Sequence, residues 1–581
     1  MCGICCFISY SDTINTEIHE IAELHQLLKN RGPDFSGRFE FKSRVLLDGN
    51  VLWQQGNEPC LQPIEEERFV LLFNGDAFVE RDNLDESDTR WLFRKIQETS
   101  DECDLGTLFK TLKGPFSLIL LDKLLERIYF ARDSLGRNSL LISSSEEGIL
   151  LSSVLGTTSS FQTVELPPVG LFYIDFERCN KNEQKLFLRP WKNNDEEILS
   201  LDLVLRDSIT LPWFQPIENK YDFDFHQLLD HYDALDSDAL FEQILQETVI
   251  SMLCEDLIKL LTQSVRERVR ASPSFCKDCI ENKKPCQHSS VGILFSGGLD
   301  CSILALLADE FVDPYRPIDL LNVAFEKLRR PPKTGKTQPS PSDINWNVPD
   351  RQTGKSTVEE LQNLRPNRQW NFVEINITRQ TLSDCKRRIT DLVFPLKSVL
   401  DESLGSALWF ASRGQGLLNG EEYQCPARVL LLGSGADELF GGYSRHRAAF
   451  YRNVHSTDKA NIDQREAFLN LSAELELDWQ RLPTRNLARD DRIICDNRIT
   501  PRTPYLQEDF VALVKSLQAN QRCYHPLGSG LGDKLILRLC GYRLGLKRCA
   551  FYKKRALQFG SRIADSKQNA NDESKFLRVG E

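Results

Sequence analysis

A short apolar run, Val291–Phe295, ends in Ser296-Gly297-Gly298-Leu299-Asp300 and passes directly into helix-like sequence. A buried strand, a glycine turn and a helix start in that order aim several backbone amides and the positive end of a helix at one point, which makes an anion nest. A second apolar run, Ile318–Phe325, is again followed by helix-like sequence. That repeat is the βαβ rhythm of a parallel sheet. The loop has no Gly-Lys-[Ser/Thr] ending, so it is not a Walker A motif. The isolated Gly335-Lys336-Thr337 lacks an upstream glycine and strand and reads as solvated loop.

A chain of 581 residues is too long for one hydrophobic core, so further domains are expected around that unit. Hydrophobic residues at 41% and charged residues at 27% give the balance of a soluble globular protein. Apolar runs such as Phe69–Phe73 and Val429–Leu432 are far too short to span a membrane and read as buried strands. A net charge of −12 with no concentrated basic patch argues against nucleic acid as a partner. No lysine or arginine precedes Lys29, and Cys2 stands where myristoylation needs glycine, so neither a secretory signal nor that lipid anchor is expected. Seventeen cysteines, an odd count, then read as reduced thiols in a cytoplasmic protein.

Residues 1–190 contain short alternating segments bounded by turn residues and read as a β-rich domain; 191–240 is acidic and irregular and reads as linker with some packed pieces. Leu240–Arg270 has apolar residues at helical spacing and opens a second domain over 241–564. The polar stretch Lys327–Gln362 reads as a mobile surface loop or lid, and 565–581 as a frayed polar tail.

Removal of Met1 would leave Cys2 with both a thiol and a free α-amine, whose reference pKa of about 8 suits a base at neutral pH. Alone this is weak, since an early cysteine can simply begin a strand. It is accompanied by Arg31-Gly32-Pro33-Asp34, Phe73-Asn74-Gly75-Asp76, Ser87-Asp88-Thr89 and the run Arg132–Leu141. In this order the segments resemble the class II glutamine amidotransferases, which implies an α+β Ntn-hydrolase-type β-sandwich domain and release of ammonia from glutamine at Cys2. The resemblance implies oxyanion donors at Asn74 and Gly75, and Asp88 as the partner of the glutamine α-amine.

Ser-Gly-Gly-x-Asp likewise resembles the loop of N-type ATP pyrophosphatases. It is followed by Gly433–Tyr443, Arg489-Asp490-Asp491-Arg492, Arg502-Thr503-Pro504-Tyr505-Leu506 and Lys554–Gly560. Together these resemble the asparagine synthetase family, and Asn347–Arg351 with Gln558–Arg562 are similar to its asparagine synthetase domain-containing members. The resemblance implies an α/β domain with a parallel sheet of the adenine nucleotide alpha hydrolase type. It implies ATP at Leu294, Ser296, Gly297, Gly298, Asp300, Ser302 and Gly433, Mg²⁺ on Asp300 and Asp437, and Lys554 as a catalytic counter-charge. The implied substrates are glutamine, aspartate and ATP, and a homodimer is one assembly it allows. For Arg489–Arg492 a salt-bridged helix face that positions loops is at least as good a reading as catalysis.

The chain departs from the pattern in places. Gly49–Gly56 has no arginine where the family carries one for the glutamine carboxylate, Ser434 and Gln507 replace a glutamate and an aspartate, and the interval from Gly75 to Asp88 is short. The expected activity is a glutamine-dependent, asparagine synthetase-like carbon–nitrogen ligase; the alternative is a weakened nucleotide-binding regulatory protein. Retention of Cys2 argues against a ring-closing relative. Cys276, Cys279, Cys286 and His288 could form a zinc knuckle, but their spacing is unusual, and ordinary thiols remain the simpler reading.

Overall fold

The structure, a computed structural model, describes residues 2–11, 19–79, 85–157, 162–181, 184–191, 199–202, 217–229, 236–273, 275–281, 284–326, 344–452, 464–564 and 569–577. Two antiparallel sheets form the first domain. One runs, from edge to edge, Gln162–Glu165, Leu141–Ser144, Gly148–Ser152, Gly3–Ser9, Val45–Val51, Phe35–Phe41. The other runs Leu199–Asp202, Lys185–Pro190, Gly170–Asp175, Arg127–Arg132, Phe116–Asp122, Phe69–Gly75, Ile64–Glu65.

Period-two alternation decides which face meets which neighbour. Ile4, Cys6 and Ile8 point between the sheets, against residues such as Leu72, Ile119 and Phe130. Cys5 and Phe7 point outward onto the helix His19–Arg31 and into a core shared with the second domain. The helices Asp88–Gln97 and Glu102–Thr111 cover the outer face of the other sheet. This is the expected Ntn-type sandwich, with helices outside two stacked sheets.

In the second domain the strands Trp370–Ile377, Ile318–Phe325, Val291–Leu294, Val429–Leu431 and Thr500–Arg502 lie side by side and parallel, with an antiparallel hairpin, Gln415–Leu418 and Glu421–Gln424, on one edge. The parallel α/β sheet expected from the two apolar runs is present.

Three sequence expectations need correction. Leu199–Asp202, inside the stretch read as linker, pairs with Lys185–Pro190, so the first domain's sheet continues past residue 190. Pro349–Leu364 is a helix, not a mobile loop; residues 327–343 of that stretch lie outside the described residues. Within the tail read as frayed, Val399 donates its amide to Asp572 at 2.9 Å, Ser574 donates to Lys397 at 2.8 Å and Leu577 is buried. Backbone pairing, which hydropathy does not register, docks that segment.

Charge pairs join the domains. Arg31 and Asp491 meet at 2.8 Å with both side chains fully buried, Asp34 meets Arg428 at 2.5 Å, and Arg492 pairs with Glu165. The Arg489–Arg492 cluster is therefore a buried, salt-bridged interface, with Arg489 held by Asp401 and Asp490.

Candidate functional site

The chain leaves Val291–Leu294 toward Ile318–Phe325 on one side and later returns to Val429–Leu431 on the other. Such a reversal of strand order opens a crevice at the carboxyl ends of the strands. A cavity of about 580 Å³ fills it, lined among others by Leu294, Ser296, Gly298, Asp300 and Gly433. That volume suits a nucleotide.

Gly297 has φ +76, and a Cβ there would lie 2.5 Å from the backbone of Gly354, so only glycine fits. The next helix, Leu299–Asp309, begins without a side-chain cap, which leaves its first amides for a ligand. Ser302 does not face the cavity: it is fully buried and donates its hydroxyl to the Gly298 carbonyl at 2.7 Å. Gly297 and Ser302 thus shape the loop from behind, while the other expected nucleotide residues line the space.

Asp300 and Asp437 converge on one ammonium. Lys534 Nζ lies 2.8 and 2.7 Å from the Asp300 oxygens and 2.5 Å from Asp437 Oδ1; Lys554 Nζ lies 2.5 Å from Asp437 Oδ2. Burial would raise the Asp437 carboxyl, but Lys534 and Lys554 outweigh it and hold it well below its ordinary value. Burial pulls Lys554 down, yet Asp437 and Asp300 hold it above its usual range. Since one cation already bridges both carboxylates, the donor pair fits a magnesium ion that keeps its waters and binds phosphate oxygens. Gly442 makes room for this contact, because a Cβ there would fall 1.9 Å from Asp437 Oδ1 and 2.2 Å from Lys534 Cε.

Sequence reading missed Lys534. It precedes an apolar helix like any surface lysine, and only its left-handed backbone, φ +57, turns it inward. It also missed Glu438, whose carboxylate accepts from Tyr443 Oη at 2.7 Å and Asn486 Nδ2 at 3.2 Å, and whose pKa burial raises.

Asp350, also on the cavity wall, is 4% exposed, and its Oδ2 has no hydrogen-bond partner. Burial pushes its carboxyl up from 3.8 to about 7, against the pull of Arg555 and Lys554. The folded state therefore keeps a proton that the unfolded chain releases, so stability falls as pH rises from about 4 to about 7 and the loss is complete above that. Nucleotide-free Asp350→Asn is expected to gain stability over the parent as pH rises, on the order of 4 kcal/mol by about pH 8. Denaturant midpoints at several pH values check this; a difference that does not change with pH would contradict it.

In the first domain, Cys2 opens the strand Gly3–Ser9 and is buried. Burial raises its thiol, while the chain-terminal charge and the Leu52 amide pull the other way. Gln62, a residue without a sequence signal, links it to the opposite sheet: Nε2 reaches Cys2 Sγ at 3.5 Å and donates to the Phe73 carbonyl at 2.9 Å, and Oε1 accepts from the Phe73 amide at 2.7 Å. Asn74 and Gly75 follow at the end of Phe69–Gly75. Asn138 Nδ2 donates to the Asn74 carbonyl at 2.7 Å, and Asn74 Nδ2 donates to Ser117 Oγ at 3.2 Å.

Asp88 begins the helix Asp88–Gln97 and accepts from Gln55 Nε2 at 3.0 Å, from the Ala77 amide at 3.1 Å and from the Thr89 amide at 2.7 Å. Gln55 also reaches Asp76, which is clamped by Arg502 of the second domain at 2.8 Å. Gln54 donates to Thr500 Oγ1 at 2.9 Å. The arginine-free stretch therefore supplies Gln54, which contacts the second domain directly, and Gln55, which joins Asp88 to the Asp76 that Arg502 clamps. Arg38 and Arg44, the nearest replacements in sequence, point elsewhere: Arg38 pairs with Asp48, and Arg44 donates to the carbonyls of Ser9 and Cys179.

The segment Arg502-Thr503-Pro504-Tyr505-Leu506 spans both sites, since Arg502 holds Asp76 while Tyr505 Oη donates to the Asp300 carbonyl at 3.0 Å. Family profiles fall on the same two halves: a glutamine amidotransferase domain matches residues 1–167 and asparagine synthase matches 417–566. An asparagine synthetase domain-containing protein of Drosophila melanogaster is 40% identical across 99% of this chain and 100% of its own length. Asparagine synthetase domain-containing protein 1 of Homo sapiens is 33% identical, across 100% of this chain and 98% of its own. A glutamine-hydrolyzing asparagine synthetase of Triphysaria versicolor is 24% identical, across 93% and 73%. With both halves, their order and nearly the full length in common, the chain belongs to the asparagine synthetase domain-containing proteins.

Proposed function

We propose that the chain adenylates a carboxylate, with aspartate as the default, and converts it to an amide. The convergence of Asp300, Asp437, Lys534 and Lys554 at the strand-order reversal carries this reading. A carboxylate oxygen bonds to the α-phosphorus and pyrophosphate leaves; ammonia then bonds to the acyl carbon, the carbon–oxygen bond breaks and AMP departs. Asp300 and Asp437 would hold magnesium, which supplies positive charge to the polyphosphate. Lys554 neutralises charge on the departing pyrophosphate, and Lys534 is available to do the same once it leaves the aspartates. Glu438, with its raised pKa, is the group suited to take the proton from the attacking nitrogen, a task for which Ser434 offers no carboxylate.

Cys2 supplies ammonia only when Met1 is removed, so intact-mass analysis is expected to find the mature chain starting at Cys2. Retained Met1 would exclude the glutaminase role. Without an arginine for the glutamine carboxylate, an ionic contact worth about 1.5–3 kcal/mol is missing. Ammonium is therefore expected to outperform glutamine by roughly ten- to a hundredfold. Steady-state rates with both donors check this, with Cys2→Ala as control. Efficient glutamine use that vanishes in Cys2→Ala would mean another group holds the carboxylate.

A second reading, a nucleotide-binding regulatory protein, draws on Lys534 standing between the metal carboxylates and on Gln55 engaging Asp88. Incubation with MgATP, aspartate and ammonium separates the two: AMP and pyrophosphate support the ligase, and bound but uncleaved ATP supports the regulator.

A further inference from the structure

We propose that Cys276, Cys279, Cys286 and His288 bind one structural zinc ion that fixes the segment leading into the nucleotide loop. Their ligand atoms all lie within 4.8 Å of one another, and His288 Nδ1 is 3.3 Å from Cys276 Sγ and 3.5 Å from Cys279 Sγ. Tetrahedral zinc with bonds of about 2.3 Å to sulfur and about 2.0 Å to nitrogen sets its ligand atoms roughly 3.5–3.8 Å apart. Small side-chain rotations bring the four atoms to that spacing. None of the cysteines is in a disulfide.

Spacing along the chain weighed against this site, but a metal requires proximity in space. Three thiolates and an imidazole form a closed donor set, with no position kept for a substrate, which is the pattern of a structural and not a catalytic zinc. The donor softness also selects zinc over magnesium or calcium.

The surroundings show why a cross-link is needed here. Between the helix Thr248–Arg270 and the strand Val291–Leu294 the described residues form no helix or strand, yet this connection carries contacts on which both sites depend. Phe275 packs on Trp53 with ring centroids 4.7 Å apart, beside Gln54, which reaches Thr500, and Gln55, which reaches Asp88. The Lys277 amide donates to the Pro426 carbonyl at 2.9 Å, just before the strand Val429–Leu431. Ser289, buried next to His288, donates to the Val291 carbonyl at 3.0 Å at the start of the loop strand. An irregular connection with so little apolar burial of its own gains its order from the metal, since binding free energy at such a site is folding free energy. The inference is independent of the catalytic reading.

The test uses the full-length chain without a histidine tag. Elemental analysis is expected to find one zinc per chain after dialysis. Cobalt exchanged into the parent protein is expected to give the visible absorption of a tetrahedral ion with thiolate charge-transfer bands. Cys276→Ser/Cys279→Ser is expected to lose the metal, while Cys103→Ser, an exposed cysteine elsewhere, keeps it. If the double variant fails to fold, the cobalt spectrum of the parent and its loss to a chelator decide the matter. A parent protein without zinc, a cobalt spectrum without thiolate bands, or zinc retained in the double variant would overturn the proposal.

Discussion

Asp437→Asn is expected to abolish pyrophosphate release, with a loss of at least about a hundredfold, the scale seen when one preorganised charge partner of a transition state is removed. Asparagine keeps the volume but presents no charge to a metal ion or to Lys554. The same change reaches stability. Lys534 would keep Asp300, whereas Lys554 loses its carboxylate partner, and removing one member of a buried pair typically costs about 3–5 kcal/mol. Lys554 retains 26% side-chain exposure, so the low end of that range is expected. Because the Asp437 carboxyl is held below its ordinary value, its contribution is present above about pH 4 and lost as pH falls through the depressed value. The parent and Asp437→Asn should therefore converge in stability at acid pH. Denaturant titration across pH and pyrophosphate release measure the two effects; full activity in the variant would remove Asp437 from the metal site.

Arg502→Met is expected to destabilise the domain interface by about 3–5 kcal/mol, because it leaves Asp76 charged in a site where, among the described residues, Gln55 alone still donates to its carboxylate. The guanidinium also donates to the carbonyls of Arg268 and Ala271, and its removal would leave the Arg268 carbonyl with the Ser272 hydroxyl at 3.5 Å. A double substitution, Arg502→Met with Asp76→Leu, should recover part of that loss, since replacing both charges removes the uncompensated one. The functional consequence is separate. Asp76 and Asp88 share Gln55, so loosening Arg502 should change glutamine use more than ammonium use. Equal stability of Arg502→Met and the parent in a denaturant titration would show that the pair does not hold the interface.

Legibility followed the kind of force involved. Apolar alternation and the glycine loop marked both domains and the cavity wall, because hydrophobic burial and backbone sterics leave local traces. Polar burial left none. The helix Pro349–Leu364 looked like loop because its inner face is built from hydrogen bonds: Arg351 reaches Asn322 and Glu374, Thr357 reaches the Gly297 carbonyl, and Glu360 accepts the amides of Arg548 and Cys549. A readable cue was present, a proline at the first helical position followed by an aspartate. Lys534 and Gln62 had no such cue, since each depends on where a distant segment places a backbone. The absent arginine in Gly49–Gly56 was visible, but the contact of Gln54 with Thr500 across the domain interface and of Gln55 with Asp88 was not, because each partner comes from another segment of the chain.

The most direct test of carboxylate adenylation follows oxygen. Aspartate labelled with heavy oxygen in its side-chain carboxylate is incubated with MgATP, ammonium and the protein, and the nucleotide product is weighed by mass spectrometry. Transfer of one carboxylate oxygen to AMP is expected, because the bond broken on amide formation leaves that oxygen on the phosphate. AMP without label, or ADP and phosphate in its place, would contradict the account.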